Sequence, residues 1–369
     1  MMGRVRWRPS TLQPLTSSPL AIDLFCGSGA VTSALKANGY RVIAAVDFSA
    51  VCGETYRLNH PEVRFRRRNI RELQPHELAV AIPPGRTLDL MAVCAPCQPF
   101  SSQNRRRNAA DQRTPLILEA IRLARALKPR LIIFENVPGI TGSPIFLRLK
   151  RGLAAAGYQL GDPQRVDAAD FGVPQRRVRC IVAAIRLPAT VRPFADAGRS
   201  DRKVTVRQAL HDLAPLTSGQ SDPFDTLHAS RKHQEITLRR LAHIPIDGGG
   251  RASLPDELQL ACHRDRDPGD FCDVYGRMRW DDIAPTLTTG CTDVTRGRYA
   301  HPRDDRAITL REAARLQTFP DSYRFAGNRS QISEQIGNAV PVEMMRRLIR
   351  ALLAEHPAGA ATAATRNRE

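Results

Sequence analysis

The feature that most constrains this chain is an alternation of short apolar runs and amphipathic stretches that begins at Leu20. PLAIDLF has the pattern of a buried strand, CGSG that of a turn, and AVTSALKAN that of a helix stopped by Gly39. RVIAAV is a second strand ending at Asp47, and a helix follows to about Asn59. LDLMAV is another strand, LILEAIRLARAL a strongly apolar helix, LIIF a strand ending at Glu135, and VRCIVAAI a late strand. Strands that alternate with helices bury both faces of a sheet, so the pattern predicts an α/β fold with a doubly wound, mostly parallel sheet.

The alternation fades after about Leu187. Residues 188–275 are broken by Pro, Gly, His and Arg, including Gly248-Gly249-Gly250, which predicts a second, smaller and irregular domain. Helical signals return in TLREAARL, where Thr309 and Glu312 have capping-box spacing, and in VEMMRRLIRALLAE, whose first turn suits Pro341. The expected organisation is a loose arm over 1–18 and a catalytic and cofactor-binding domain over 19–187, completed by 331–357. A second domain with its hinge occupies 188–330, and 358–369 is a frayed tail. A chain of 369 residues accommodates two domains of about 100–200 residues each.

Lys and Arg number 55 against 37 Asp and Glu, a formal charge of +18. Arginine in place of lysine can reflect coding bias, but the excess over acids points to a polyanionic partner, most simply nucleic acid. No apolar run approaches the roughly 18–20 residues that cross a bilayer, so no membrane association is expected. MMGRVRWRPSTLQ has no apolar h-region, so it is not read as a secretory signal. The eight cysteines are then expected to be reduced thiols in a cytoplasmic protein.

Four short segments carry chemistry. Asp23-Leu-Phe-Cys-Gly-Ser-Gly29 joins the first strand to the first helix, where glycines let a ligand approach the backbone. Asp47, at the end of the second strand, can accept hydrogen bonds from ribose hydroxyls. The turn lacks the third glycine of a dinucleotide fingerprint, which favours a nucleoside without pyrophosphate, such as S-adenosylmethionine; a bare glycine turn is the bland alternative. Ala95-Pro-Cys-Gln-Pro-Phe-Ser101 follows a buried strand, so Cys97 should emerge as a nucleophile in a Pro-flanked loop. Cys94-Ala-Pro-Cys97 also has the spacing of a redox pair or half a zinc site, but no matched second pair is visible. Glu135-Asn-Val137 puts a carboxylate at a strand end, where it can act as an acid. In Gln175-Arg-Arg-Val-Arg179, Arg177 and Arg179 alternate along an extended segment and are expected to share a face, as fixed donors or as a solvated basic edge. A doubly wound sheet would gather Asp23–Gly29, Asp47, Cys97 and Glu135 along one edge.

With these segments in order, the chain resembles the bacterial DNA (cytosine-5) methyltransferases from about Leu20 to about Leu353. DLFCGSG, PCQPFS, ENV, QRRVR and Gly337-Asn-Ala-Val-Pro341 carry the resemblance, with RMRWDDIAPTLTT (277–289) and REAARLQTFPD (311–321) as later blocks. Some positions depart from the family pattern: Cys94-Ala-Pro-Cys97 replaces Gly-Pro-Pro-Cys, Asp47 replaces Glu, and Arg68-Asn-Ile70 replaces Gly-Asp-Ile.

The resemblance implies a Rossmann-like fold with a target-recognition domain, S-adenosyl-L-methionine as methyl donor, and double-stranded DNA as substrate. It implies catalytic roles for Cys97, Glu135, Arg177 and Arg179, and no metal. Asp23, Phe25, Gly27, Gly29, Asp47, Asn69, Pro96, Asn338 and Ala339 are the implied cofactor contacts. Gln98, Ser101, Arg105, Arg106, Arg107, Arg231, Lys232, Arg239 and Arg240 are the implied DNA contacts. The loop after Cys97 is expected to close over DNA. The expected form is a nucleoid-associated monomer, either solitary or accompanied by a cognate restriction endonuclease. A tRNA cytosine methylase and a nucleic-acid-binding protein without catalysis are the alternative functions.

Overall fold

The computed structural model describes residues 18–96, 114–263 and 270–356. Within them the eight strands are β1 (Leu20–Leu24), β2 (Arg41–Asp47), β3 (Arg64–Arg67), β4 (Leu90–Val93), β5 (Leu131–Asn136), β6 (Tyr158–Leu160), β7 (Gln164–Asp167) and β8 (Val178–Arg186). They form one sheet in the order β3-β2-β1-β4-β5-β8-β6, with β7 also on β8. β1, β4 and β5 are buried along their whole length, as both-faces-covered strands must be. The pairings from β3 to β5 are parallel, whereas β8 runs antiparallel to β5, β6 and β7.

The described helices are α1 (Ala30–Ala37), α2 (Ala50–Asn59), α3 (Pro75–Ala79), α4 (Glu119–Leu127), α5 (Pro144–Ala154), α6 (Val206–Leu210), α7 (Glu235–His243), α8 (Leu310–Leu316), α9 (Arg329–Asn338) and α10 (Val342–Glu355). The expected helix LILEAIRLARAL begins as a 3-10 turn over Thr114–Leu118 and becomes α-helical at Glu119. Pro341 is the residue before α10 rather than part of its first turn. The capping box at Thr309 is formed, with Thr309 accepting from the Glu312 amide and Glu312 from the Thr309 amide.

Two apolar layers flank the sheet. Ala34 and Leu35 of α1 pack with Met344, Leu348 and Leu352 of α10 on one side, while Leu78, Leu123 and Leu149 of α3, α4 and α5 cover the other. A third cluster joins Val206, Leu287, Leu316 and Ile336, and a fourth gathers Leu241, Leu258, Tyr275 and Ala307. β1 has β2 on one side and β4 on the other. The chain therefore winds away in both directions from β1, and the strand ends there open a crevice.

Candidate active site

A cleft of about 1250 Å³ runs along the carboxyl edge of the sheet. Its lining includes Phe25, Gly27 and Asp47 at one end, Pro96 and Glu135 in the middle, and Arg177 and Arg179 at the other. From β2 to β8 the order crosses β1, β4 and β5, four strand spacings or roughly 19 Å. That span suits two ligands side by side rather than one.

At the β2 end, Asp47 organises the glycine turn. Its Oδ2 accepts from the Gly27 amide at 2.9 Å and its Oδ1 from the Ser49 amide at 2.8 Å. Burial pushes its proton affinity up, and the amides of Ser49, Gly27 and Phe48 only partly oppose this. Phe48 presents an aromatic ring that is 71% exposed and lines the cleft. Asn69 also lines it; its Oδ1 accepts from the Arg71 amide at 3.2 Å and its Nδ2 donates to Glu72 at 3.3 Å. Asn338 and Ala339, at the end of α9, close the wall opposite.

Two expected cofactor contacts lie elsewhere. Asp23 is fully buried beneath the turn, where its Oδ2 accepts from the Thr32 hydroxyl at 2.8 Å. Burial drives its pKa up to about 7, against the Thr32 hydrogen bond and with help from Asp47. Both faces of β1 are covered, and Thr32 of α1 lies against the Asp23 carboxyl. Gly29 has φ 97°, and a Cβ there would sit 2.7 Å from the His60 ring and 2.9 Å from the Tyr323 hydroxyl. It is a packing glycine rather than a ligand contact. His60 Nε2 lies 3.1 Å from the Gly29 carbonyl and Tyr323 donates to the Ser28 carbonyl, so these two residues clamp the turn from outside. Burial and Lys36 lower the His60 pKa to about 4, which keeps the clamp neutral. Neither residue carries a local sequence signal, because both act through tertiary contact.

At the centre, Glu135 is the penultimate residue of β5 and its Oε1 meets Arg179 Nε at 3.0 Å. Both side chains are largely buried. β8 brings Arg179 there because it is antiparallel to β5, with Glu135 opposite Ile181 and Asn136 opposite Cys180. Asn136 donates to the Ala95 carbonyl at 3.2 Å, which ties β5 to the loop leaving β4. Cys94 lines the same wall, its thiol pushed well up by burial and by Glu135. Cys97, Gln98, Ser101, Arg105, Arg106 and Arg107 lie outside the described residues.

Arg177 lines the same cleft as Arg179, but its guanidinium is held by other partners. It stands just before β8, and its guanidinium donates to the carbonyls of Leu287 and Gly337 at 3.1 Å each. It fastens the late blocks to the sheet. Gln175 does the same: its Oε1 accepts from the Leu287 amide and its Nε2 donates to Leu316 O and Gln317 Oε1. Gln317 donates on to the Ile336 carbonyl at 2.7 Å. Gly337 touches this joint so closely that a Cβ would lie 2.3 Å from the Thr288 carbonyl oxygen.

Two arginines not singled out in the sequence also line the cleft: Arg165 of β7 and Arg176. Both are exposed. Among the expected DNA contacts, Lys232 and Arg239 are exposed, and Arg231 is exposed but paired with Asp293 at 2.9 Å. Arg240 is half-buried and committed to partners within the protein. It donates to Leu258 O at 2.9 Å and to the Tyr275 hydroxyl at 3.2 Å, and lies over the Tyr275 ring, so it holds the fourth cluster together. Among the described residues, no group of His, Cys, Asp and Glu could hold a metal, and no helix is long and apolar enough to cross a membrane.

The sheet topology and its edge cleft are those of a Rossmann-like, S-adenosylmethionine-dependent methyltransferase. Comparison with known proteins narrows the class: the family model for C-5 cytosine-specific DNA methylase matches residues 20–354. The chain belongs to this family and is a DNA cytosine-5 methyltransferase. Type II methylase M.HgiDII of Herpetosiphon aurantiacus is 36% identical over 338 residues, covering 90% of this chain and 94% of its own length. Type II methyltransferase M.XorII of Xanthomonas oryzae is 31% identical over 359 residues, 89% of this chain and 83% of its own. The crystal structure of a prophage-encoded Escherichia coli protein superposes with a TM-score of 0.72 at 22% identity, over 92% of this chain and 99% of that one. The Entamoeba histolytica methyltransferase EhMeth gives 0.63 at 16%, over 92% and 98%. At such identities these two structures speak for the fold alone.

Proposed function

We propose that the protein methylates C5 of a flipped cytosine within a specific duplex DNA sequence, through a transient bond between Cys97 and C6 of the base. The observation that carries this reading is the Glu135–Arg179 pair at the centre of the cleft, beside the loop from β4 that leads to Cys97. Aromatic C5 is a poor nucleophile. Addition of the Cys97 thiolate to C6, with Glu135 protonating or hydrogen-bonding N3, makes C5 enamine-like. Arg179 holds Glu135 and is placed to bond the base O2. Arg177, anchored to the Leu287 and Gly337 carbonyls, acts as a positioning residue that keeps this wall in register. After transfer, loss of the C5 proton and expulsion of the thiolate restore the aromatic ring.

The β2 end fits the methyl donor. An exposed phenyl ring at Phe48, the Asp47 carboxylate and the Asn69 amide suit adenosine. S-adenosylmethionine bound there supplies an electrophilic methyl on a sulfonium. Phe25, Gly27, Pro96, Asn338 and Ala339 complete that wall. The base must leave the duplex to reach Glu135, at a cost of a few kcal/mol. Residues 188–330 supply target recognition, with Lys232 and Arg239 available to DNA. The likeness to Type II methylases supports a role alongside a restriction endonuclease.

Duplex DNA bearing 5-fluorocytosine at the target position tests the mechanism. The fluorine cannot leave as a proton does, so with S-adenosylmethionine the enzyme is expected to become covalently trapped, seen as a denaturant-stable complex on a gel. Cys97→Ala should abolish both trapping and methylation. Trapping that survives this substitution, or methylation of tRNA but not of DNA, would refute the proposal.

Arg165 and Arg176 lie at the nucleotide end of the cleft and are proposed as phosphate contacts. Arg165→Gln and Arg176→Gln are each expected to lower the slope of log affinity against log salt by about one. Fluorescence anisotropy across a salt series measures this.

A further inference from the structure

Asp47, the carboxylate expected to hold the cofactor ribose, is heavily committed to its own loop. Both oxygens accept backbone amides, from Gly27 and Ser49. Its side chain is also one methylene shorter than the Glu usual at this place. A ribose brings two adjacent hydroxyl donors, and the two amides leave Asp47 about one acceptor site on each oxygen, so a further acceptor would share the sugar.

A second carboxylate faces the same space. Glu334 lies on α9, and Gln331, Glu334, Gln335 and Asn338 share the helix face that lines the cleft, at spacings of three and four. Glu334 is exposed and has no ion pair among the described residues, although the chain carries 55 basic residues against 37 acidic ones. Gln331 on the same face and Val51 in the first turn of α2 both crowd Gly327, which brings α9 against the helix that follows Asp47. This places Glu334 at the β2 end of the cleft, not among the arginines at the β8 end. Beside it, Gln335 is only 4% exposed, and its Oε1 has no hydrogen-bond partner while its Nε2 donates to the Ala326 carbonyl at 2.9 Å. An unpaired carboxylate and an open buried acceptor on one wall call for a ligand rich in donors.

We propose that Glu334 is the second anchor of the cofactor ribose, accepting a hydroxyl hydrogen bond across the cleft from Asp47. The inference rests on the reading of the β2 end as the cofactor site. It makes α9, rather than the β2 strand end alone, responsible for recognising the sugar.

Calorimetric titration with S-adenosylhomocysteine and its 2′-deoxy and 3′-deoxy analogues tests this on the full chain. In the wild type, loss of the hydroxyl that Glu334 accepts should weaken binding about tenfold. Glu334→Ala should weaken S-adenosylhomocysteine by a similar factor, and the penalty for that deoxy analogue should shrink to within about twofold. Because Glu334 is exposed, the thermal midpoint should stay unchanged. A Glu334→Ala protein that keeps both deoxy penalties in full, or binds S-adenosylhomocysteine as tightly as the wild type, overturns the proposal while leaving the cofactor site intact. Wild-type protein that binds none of the three overturns the cofactor reading and this inference with it.

Discussion

Exchanging Glu135 for Gln is expected to slow methylation by about 10²–10⁴-fold, the range of a lost general acid. Gln keeps the shape of Glu but can neither deliver a proton to N3 nor balance the Arg179 guanidinium. That guanidinium sits 3.0 Å from Glu135 Oε1 and also donates to the Val178 carbonyl at 2.7 Å. With the counter-charge gone, Arg179 is free to turn from the base oxygen, so two contacts weaken together. Single-turnover methylation at saturating DNA and S-adenosylmethionine measures the chemical step. Near-UV circular dichroism of the variant should match the wild type, which separates chemistry from folding. A rate within threefold of wild type would remove Glu135 from the mechanism.

The second large effect concerns stability, at a site remote from the chemistry. Glu312→Ala is expected to destabilise the protein by about 3 kcal/mol, because it takes the bidentate partner from the buried Arg306 guanidinium and leaves it only Asp304 as a carboxylate partner. Arg306 donates to both Glu312 oxygens, at 2.9 and 2.8 Å, and to Asp304 at 2.9 Å; both Arg306 and Glu312 are almost completely buried. Glu312 also completes the α8 capping box by accepting from the Thr309 amide at 2.7 Å. The urea midpoint should fall with little change in slope.

The same network fixes a pH dependence. Burial raises the Glu312 pKa, but Arg306 and His301 outweigh it and the net value falls from 4.5 to about 2. A depressed carboxyl contributes stability that is full above 4.5 and is lost as the pH falls through 2. His301 is lowered from 6.5 to about 4, chiefly by burial, so its contribution is full above 6.5 and is lost as the pH falls toward 4. Asp23 runs the other way: raised to about 7, it stabilises most below 3.8, and that contribution is lost as the pH rises through 7. Between pH 6.5 and 4 the losses through His301 and His60 are opposed by the gain through Asp23, and below 3.8, where Asp23 changes no further, the Glu312 loss stands without that offset. This low-pH drop in stability should shrink in Glu312→Ala, leaving the share of other depressed carboxyls such as Asp225, Asp293 and Asp304.

The glycine turn, the strand ends at Asp47 and near Glu135, and the Thr309 capping box were all legible in the sequence. Each depends on residues within a few positions of one another, where periodicity, capping and glycine conformation act. The family blocks were legible for a related reason: short runs of fixed chemistry survive as strings.

What the string could not show is how distant segments meet. A strand's apolar run does not encode its direction, so only the tertiary structure makes β8 antiparallel and carries Arg179 to the same edge as Glu135. Tertiary packing also diverts Arg177 and Arg240 to carbonyls and a ring, buries Asp23, and sets His60 and Tyr323 against the turn. These outcomes depend on partners tens to hundreds of residues away. Local sequence determined which elements form and where they end; long-range hydrogen bonds and burial decided which of their polar side chains face the cleft.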